Sequence, residues 1–414
     1  MAKPPLLAVI LDGVGDRAHP DHGGSTPLQA AQTPTLDELA TRGATGLVDP
    51  LAPGIVPGSN TGHLGLFGYD PLAETTVSPS RGCIEALGLG IEPAQGRVAA
   101  RANFVTLAED GTVEDRRAGR FPTPQDHEEA QRIVDDIEQA LPGDVQTRYH
   151  PRMAYRFVLV FDDGSPEVAD TDPGEVGEPI TPAEATADEG EARRMAKRVQ
   201  EVVDRAQDVL ADHPVNEDRS ERGELPVDGV VTRGLGPVER GPTLQERFGI
   251  EGLAVAGGNA YRGIANYVGM ELADVAGATG GLDTDMDAKV TRALDGLPDN
   301  DLVYLHIKAP DICGENGDFP AKREAIEDID QALEPLLDLR DLVLGLTGDH
   351  ATPCARKSHS GDPVPVIVDA PGIVDDDVSA YHERACPHGF LGRLQGGDFL
   401  HTLLDLSDRT KKRE

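Results

Sequence analysis

Leu6-Leu-Ala-Val-Ile-Leu11 is an unbroken apolar run that empties into Asp12-Gly13. That is the pattern of a strand buried on both faces and opening into a loop. Three later runs repeat it: 302–307 ahead of Asp311, 342–347 ahead of Gly348-Asp349-His350, and 364–368 ahead of Asp369. Helical periodicity lies between them, notably over 322–337. The alternation predicts a mostly parallel α/β sheet, in which ligands bind beyond the carboxyl ends of the strands. Asp12, Asp311, Asp349 and His350 would then meet at one sheet edge, drawn from both ends of the chain.

The middle of the chain reads differently. Residues 101–106, the turn Glu109-Asp110-Gly111 and residues 112–115 predict a β-hairpin. Helices are expected over 125–140, stopped by Pro142-Gly143, and over 185–211, stopped by Pro214. Between them lie a strand, Arg156–Phe161, and an acidic, proline-rich loop over 162–182. This divides the chain into a core, 1–96 plus 241–414, carrying an inserted α+β domain at 97–240.

Charge narrows the function. Lys plus Arg number 38 against 73 Asp plus Glu, a net charge of −35. Such a surface repels nucleic acid and anionic membranes, so neither is expected as a partner. No apolar run reaches the length of a membrane span. Cys83, Cys313, Cys354 and Cys386 form no disulfide or zinc pattern. A soluble, cytoplasmic protein is expected. Only eight residues are lysine and the acid is spread along the whole chain, which suggests a host with molar internal salt, where screening shrinks to ~3 Å.

Three features could carry chemistry. Asp12, Asp311, Asp349, His350 and His359 offer the oxygen and nitrogen donors that divalent metals take. Each alone has a plainer role, since an Asp after a strand is usually a turn or cap residue. Gathered at one edge, they form a candidate metal site. The second feature is Pro57-Gly-Ser-Asn-Thr-Gly-His63, where Ser59 is either a helix cap or a nucleophile in need of activation. The third is Asp115-Arg-Arg-Ala-Gly-Arg120. Arg116, Arg117 and Arg120 are a solvated turn or an anion clamp, because guanidinium forks match phosphate and carboxylate. Arg156 and Arg233 are further candidates of that kind, and Lys308 either faces the site or caps its strand.

Together these motifs resemble the archaeal-type, cofactor-independent (2,3-bisphosphoglycerate-independent) phosphoglycerate mutases of the alkaline phosphatase superfamily. The resemblance runs nearly end to end, through Gly58-Ser-Asn-Thr-Gly-His63 and the stretches 115–120, 223–236, 262–285, 306–318 and 348–365. It implies an alkaline-phosphatase-like sheet flanked by helices, with the insert closing as a lid. It also implies two divalent ions, manganese first among Mn, Mg, Co and Zn. Asp12, Ser59, Asp349 and His350 would hold one ion and Asp311 and His359 the other, with Ser59 becoming phosphoserine. The substrate implied is a small phosphorylated three-carbon acid of glycolysis and gluconeogenesis, its carboxylate held by the arginines.

Two departures stand out. The family's usual His four residues after Asp311 is Glu315 here, a carboxylate that could still bind a harder metal. The Gly-His-Arg motif before the middle strand is Ala154-Tyr-Arg156. Ser59 and the metals would equally serve a metal-dependent phosphatase or a phosphomutase of another substrate. A binding protein on the same scaffold would have lost the nucleophile, which is present.

The charge reading has a direct check. Moving the protein from about 3 M to about 50 mM KCl lengthens the screening distance several-fold, and activity and helical circular dichroism should both fall. Unchanged values at low salt would refute it.

Overall fold

The computed structural model describes residues 3–73 and 78–410. It divides into two compact units, Met1–Ser78 with Pro242–Glu414, and the intervening Pro79–Gly241. In chain order the strands are β1 (Leu6–Leu11), β2 (Ala44–Asp49), β3 (Val98–Leu107), β4 (Val113–Asp115), β5 (Val145–Arg148), β6 (Arg156–Phe161) and β7 (Gly229–Pro237). They continue as β8 (Gly252–Val255), β9 (Glu271–Leu272), β10 (Leu302–Ile307), β11 (Val343–Thr347), β12 (Val364–Asp369) and β13 (Gly392–Gln395).

The first unit is built on an eight-stranded sheet in the order β13-β2-β12-β11-β1-β10-β8-β9. β1 lies between β10 and β11, parallel to both. All six residues of β1 and of β10 are buried, as their continuous apolar runs require of strands covered on both faces. Leu7, Val9 and Leu11 share one core with Leu36 and Leu39, Val290 and Ala293, and Ile326 and Ile329. Those residues are the apolar stripes of helices Pro34–Arg42, Met286–Gly296 and Phe319–Ala332. Asp285 and Asp318 cap two of these helices by accepting from Ala288 N and Ala321 N at 2.9 and 3.0 Å. The sheet is not wholly parallel, because β12 runs antiparallel to both β11 and β2.

In the second unit β3 is flanked antiparallel by β6 and β7, with β4 on its end and β5 beyond β6. Helices Pro124–Ala140 and Gly190–Leu210 lay Ile133, Val134 and Ile137, and Val199, Val202 and Ala206, onto Phe104, Phe157 and Phe161. The unit begins at Pro79 rather than 97, because helix Arg81–Gly88 packs on β3 and β7. Gly82 permits that approach: a Cβ there would lie 2.0 Å from Ala99 O. The hairpin and the 125–140 helix stand where their patterns put them, while the helix expected from 185 starts at Gly190. β7, with its three glycines and terminal proline, carries too weak a strand signal to read from sequence. Among the described residues no helix is long and apolar enough to cross a membrane.

The core of this unit also holds a buried cation. Arg219 pairs with Asp126 at 2.7 Å and Glu129 at 3.0 Å, and donates to Leu225 O. Removing one partner of a buried pair strands the others, at a cost of about 3–5 kcal/mol. Arg219→Met should therefore lower the melting temperature sharply in calorimetry, whereas the surface variant Arg205→Met should leave it nearly unchanged.

Candidate active site

Asp12 follows β1, Asp311 lies one turn beyond β10, and Asp349 and His350 follow β11. The four side chains are fully buried. His350 joins two groups of donors. With Asp12 and Asp349 it forms one set, and with Asp311 and His359 another, the donor atoms of each within 4.8 Å of one another. His350 Nε2 is 3.3 Å from both Asp12 Oδ1 and Asp349 Oδ2, and its ring stacks on His359 at 3.6 Å. Among the described residues Asp12 Oδ1 and His350 Nε2 are buried without a hydrogen-bond partner. Buried polar atoms are seldom left so, and a carboxylate oxygen and an imidazole nitrogen aimed at one point fit a divalent cation.

The charges around them are balanced locally. Burial pushes the Asp12 carboxyl up, but Lys308, His306 and His350 outweigh it and hold it well below the carboxylate range. Lys308 Nζ lies 2.5 Å from Asp311 Oδ2 and 3.4 Å from Asp12 Oδ2, so this lysine faces the site. Burial drives His306 down to about 4 despite its contact with Asp12 at 3.0 Å, leaving it neutral. Burial also lowers His350, which keeps a nitrogen lone pair available as a metal ligand requires.

Ser59 is the first residue of helix Ser59–Leu66, and Gly58 rather than Ser59 is its N-cap. Its hydroxyl is thereby left for other work, and Tyr261 Oη lies 3.4 Å from Ser59 Oγ. One turn on, His63 Nδ1 is 2.8 Å from Ser59 O and 3.2 Å from Asp349 Oδ2, tying the start of this helix to the carboxylates. Gly62 is needed for contact: a Cβ there would lie 2.3 Å from the Asp349 carbonyl oxygen.

Behind the carboxylates, Lys322 is buried completely and donates to Gly15 O, Asp16 Oδ2 and Thr352 O at 2.9–3.0 Å. Thr352 Oγ1 in turn donates to Asp311 Oδ1 at 2.5 Å. The loops after β1 and β11 are thus fixed to helix Phe319–Ala332.

The second unit holds its own cluster. Arg101 and Arg233 face each other in register across β3 and β7. Among the described residues Arg101 Nε is buried without a hydrogen-bond partner, while Arg233 is ion-paired with Asp172 at 3.6 Å and Asp170 at 3.8 Å. Burial, with Arg156 and Arg81 nearby, pulls Arg101 down to about 10. Arg156 pairs with Glu85 at 2.9 Å. Crowded guanidiniums with unused donors suit an anion. The predicted clamp at 115–120 is rearranged: Arg116 is bound to Asp172 at 2.8 Å, while Arg117 and Arg120 are exposed.

The family profile of the 2,3-bisphosphoglycerate-independent phosphoglycerate mutases matches residues 40–216. A mutase of that name from Ignicoccus hospitalis is 41% identical over 98% of both chains. The chain belongs to this family. A Methanopyrus kandleri member is 40% identical over 98% of this chain and 97% of its own. The solved cofactor-independent phosphoglycerate mutase of Thermoplasma acidophilum covers 98% of this chain at 32% identity, with a TM-score of 0.67 and all of its own length matched. A solved Pyrococcus horikoshii protein matches over the full length of both chains at 33% identity, with a TM-score of 0.84.

Glu315, read from the sequence as a carboxylate that could bind a harder metal, sits exposed on the last turn of helix Ala309–Asn316, outside both donor groups. Sequence reading missed His63, His306, Tyr261, Thr352 and Lys322 around the carboxylates, and Arg81 and Arg101 in the insert. Lys322 and His306 sit within apolar helical and strand patterns, and a charged or titratable residue there was the available signal.

Gly62 offers a test of positioning. In Gly62→Ala the Ser59 helix must back away from Asp349, and a shift of about 1 Å costs roughly a hundredfold in rate. Phosphoglycerate turnover should fall by that order while circular dichroism stays native.

Proposed function

We propose that this chain interconverts 3-phosphoglycerate and 2-phosphoglycerate without 2,3-bisphosphoglycerate, through a phosphoserine at Ser59. The observation that carries the reading is Ser59 at a helix start, tied through His63 to two overlapping donor sets that share His350. Family membership over nearly the whole chain supports it. Asp12, Ser59, Asp349 and His350 would hold one divalent ion, and Asp311, His359 and the shared His350 the other. The mixed oxygen and nitrogen donors favour manganese, with Mg, Co or Zn as alternatives. When bound, the ions supply positive charge for the phosphoryl oxygens and lower the pKa of the Ser59 hydroxyl.

The chain's own residues do the rest. Ser59 Oγ gives up its proton and bonds to phosphorus as the bond to the substrate's C3 oxygen breaks, and that oxygen takes up a proton. After the glycerate reorients, the C2 oxygen takes the phosphoryl group back and Ser59 is released. Amides at the start of helix Ser59–Leu66 donate to phosphoryl oxygens. Lys308, already between Asp12 and Asp311, adds a cation against the same group. Arg156 and Arg233, with Arg81 and Arg101, bind the glycerate carboxylate, and Arg117 and Arg120 supply the free guanidiniums of the 115–120 turn. The insert acts as the lid, and exclusion of water decides the outcome, because a wet phosphoserine is hydrolysed. The acidic surface suits this enzyme to the cytoplasm of a salt-accumulating cell.

Phosphorus NMR of 3-phosphoglycerate with Mn²⁺ in about 2–3 M KCl, with 2,3-bisphosphoglycerate left out, tests the reading. A growing 2-phosphoglycerate signal is expected with the natural chain and none with Ser59→Ala. Release of free phosphate in its place would make the protein a phosphatase.

A further inference from the structure

Tyr261 is the third residue of helix Asn259–Tyr267, and its side chain is almost wholly buried. Its ring stacks on His306, with centroids 3.7 Å apart and planes 21° from parallel. His306 is itself held by Asp12 at 3.0 Å. Lys308 Nζ stands 5.3 Å from the centroid of the Tyr261 ring, and the His63 ring lies 5.4 Å away. A ring packed in this way has little freedom to swing, so its oxygen is aimed. It is aimed at Ser59 Oγ, 3.4 Å away, and among the described residues each of these two side-chain oxygens has only the other as a hydrogen-bond partner.

We infer that Tyr261 is a further catalytic residue, whose phenol O–H donates to Ser59 Oγ in both halves of the phosphoryl exchange. The inference rests on the reading of Ser59 as the nucleophile. A neutral hydroxyl gains little from such a donor. The same oxygen gains far more when it carries charge, because hydrogen bonds to charged acceptors are shorter and roughly twice as strong. Relative to the neutral resting hydroxyl, Ser59 Oγ gains negative charge as it gives up its proton to attack phosphorus, and again as it leaves when the phosphoryl group is returned. An interaction stronger in the transition state than in the ground state raises kcat rather than tightening substrate. Tyr261 keeps its proton throughout; in each half one P–O bond breaks as another forms, and the proton lost by the attacking hydroxyl is balanced by the one gained on the departing oxygen. Contacts of this kind also shorten once substrate is bound, which accommodates a separation of 3.4 Å in its absence.

One donor serving one oxygen in both directions leaves a distinctive signature. Removing it slows formation and breakdown of phosphoserine alike, so the phosphorylated fraction at steady state stays constant while turnover falls. Tyr261→Phe keeps the stacked ring and deletes only the O–H. In the Mn²⁺-loaded enzyme with 3-phosphoglycerate, kcat should drop about 10- to 100-fold. KM should stay within about twofold, and the phosphoserine fraction, read by intact mass after an acid quench, should match that of the natural chain. A Tyr261→Phe enzyme with undiminished kcat, or with its loss confined to KM, would overturn the assignment while an inactive Ser59→Ala control left the nucleophile standing. A Ser59→Ala enzyme with full mutase activity would overturn both.

Discussion

Asp12, Asp311 and Asp349 are all removed from water at one place, and the surrounding structure is arranged around their repulsion. Two carboxylates whose oxygens approach within 4.8 Å repel by roughly 3–4 kcal/mol at an effective dielectric near 20. Nothing apolar can offset that. The parallel strands deliver the carboxylates from distant parts of the chain, and the flanking helices keep water away. Lys308 enters between two of them, and His63, His306 and His350 face the others. Lys308 offsets part of that repulsion, and Asp12 Oδ1 and His350 Nε2, without hydrogen-bond partners among the described residues, are where a further cation would be received.

Much of this was legible before any fold was known. Buried parallel strands announce themselves as apolar runs, and the loop residues after β1, β10 and β11 are the ones a ligand would meet. Asp12, Asp311, Asp349 and His350 could be placed for that reason. The remainder lay outside the reach of local pattern. β12 has the same apolar run as its neighbours, and only its pairing reveals that it is antiparallel. Lys322 stands out as a charge on the apolar stripe of its helix, but its partners, two loop carbonyls and Asp16, appear only when the helix packs. Tyr261 resembles a core tyrosine until helix Asn259–Tyr267 brings it to Ser59. Periodicity predicts which face of an element is buried but not what it is buried against.

The insert shows the same division. Its two long helices and its hairpin follow from periodicity and turn chemistry, while β7 required tertiary pairing to declare itself. The arginine-rich turn drew attention because cations are scarce in this chain, yet Arg116 is occupied by Asp172. Among the described residues the guanidinium with a buried, unbonded nitrogen and no ion pair is instead on β3, at Arg101. In a chain of net charge −35, most cations are neutralised by a neighbouring acid, and an arginine whose nitrogens are left over is more informative than an arginine-rich segment.

Lys322 makes the active-site loops independent of what binds between them. Its ammonium is covalently part of the chain, so it cannot be removed by a chelator or exchanged for a competing ion. The loops after β1 and β11 are therefore held in shape by a permanent strut, whereas in small metalloproteins binding and folding are one event. Whatever ion the carboxylates were to take would meet loops already in place, and selection among metals would then fall to donor chemistry rather than to folding.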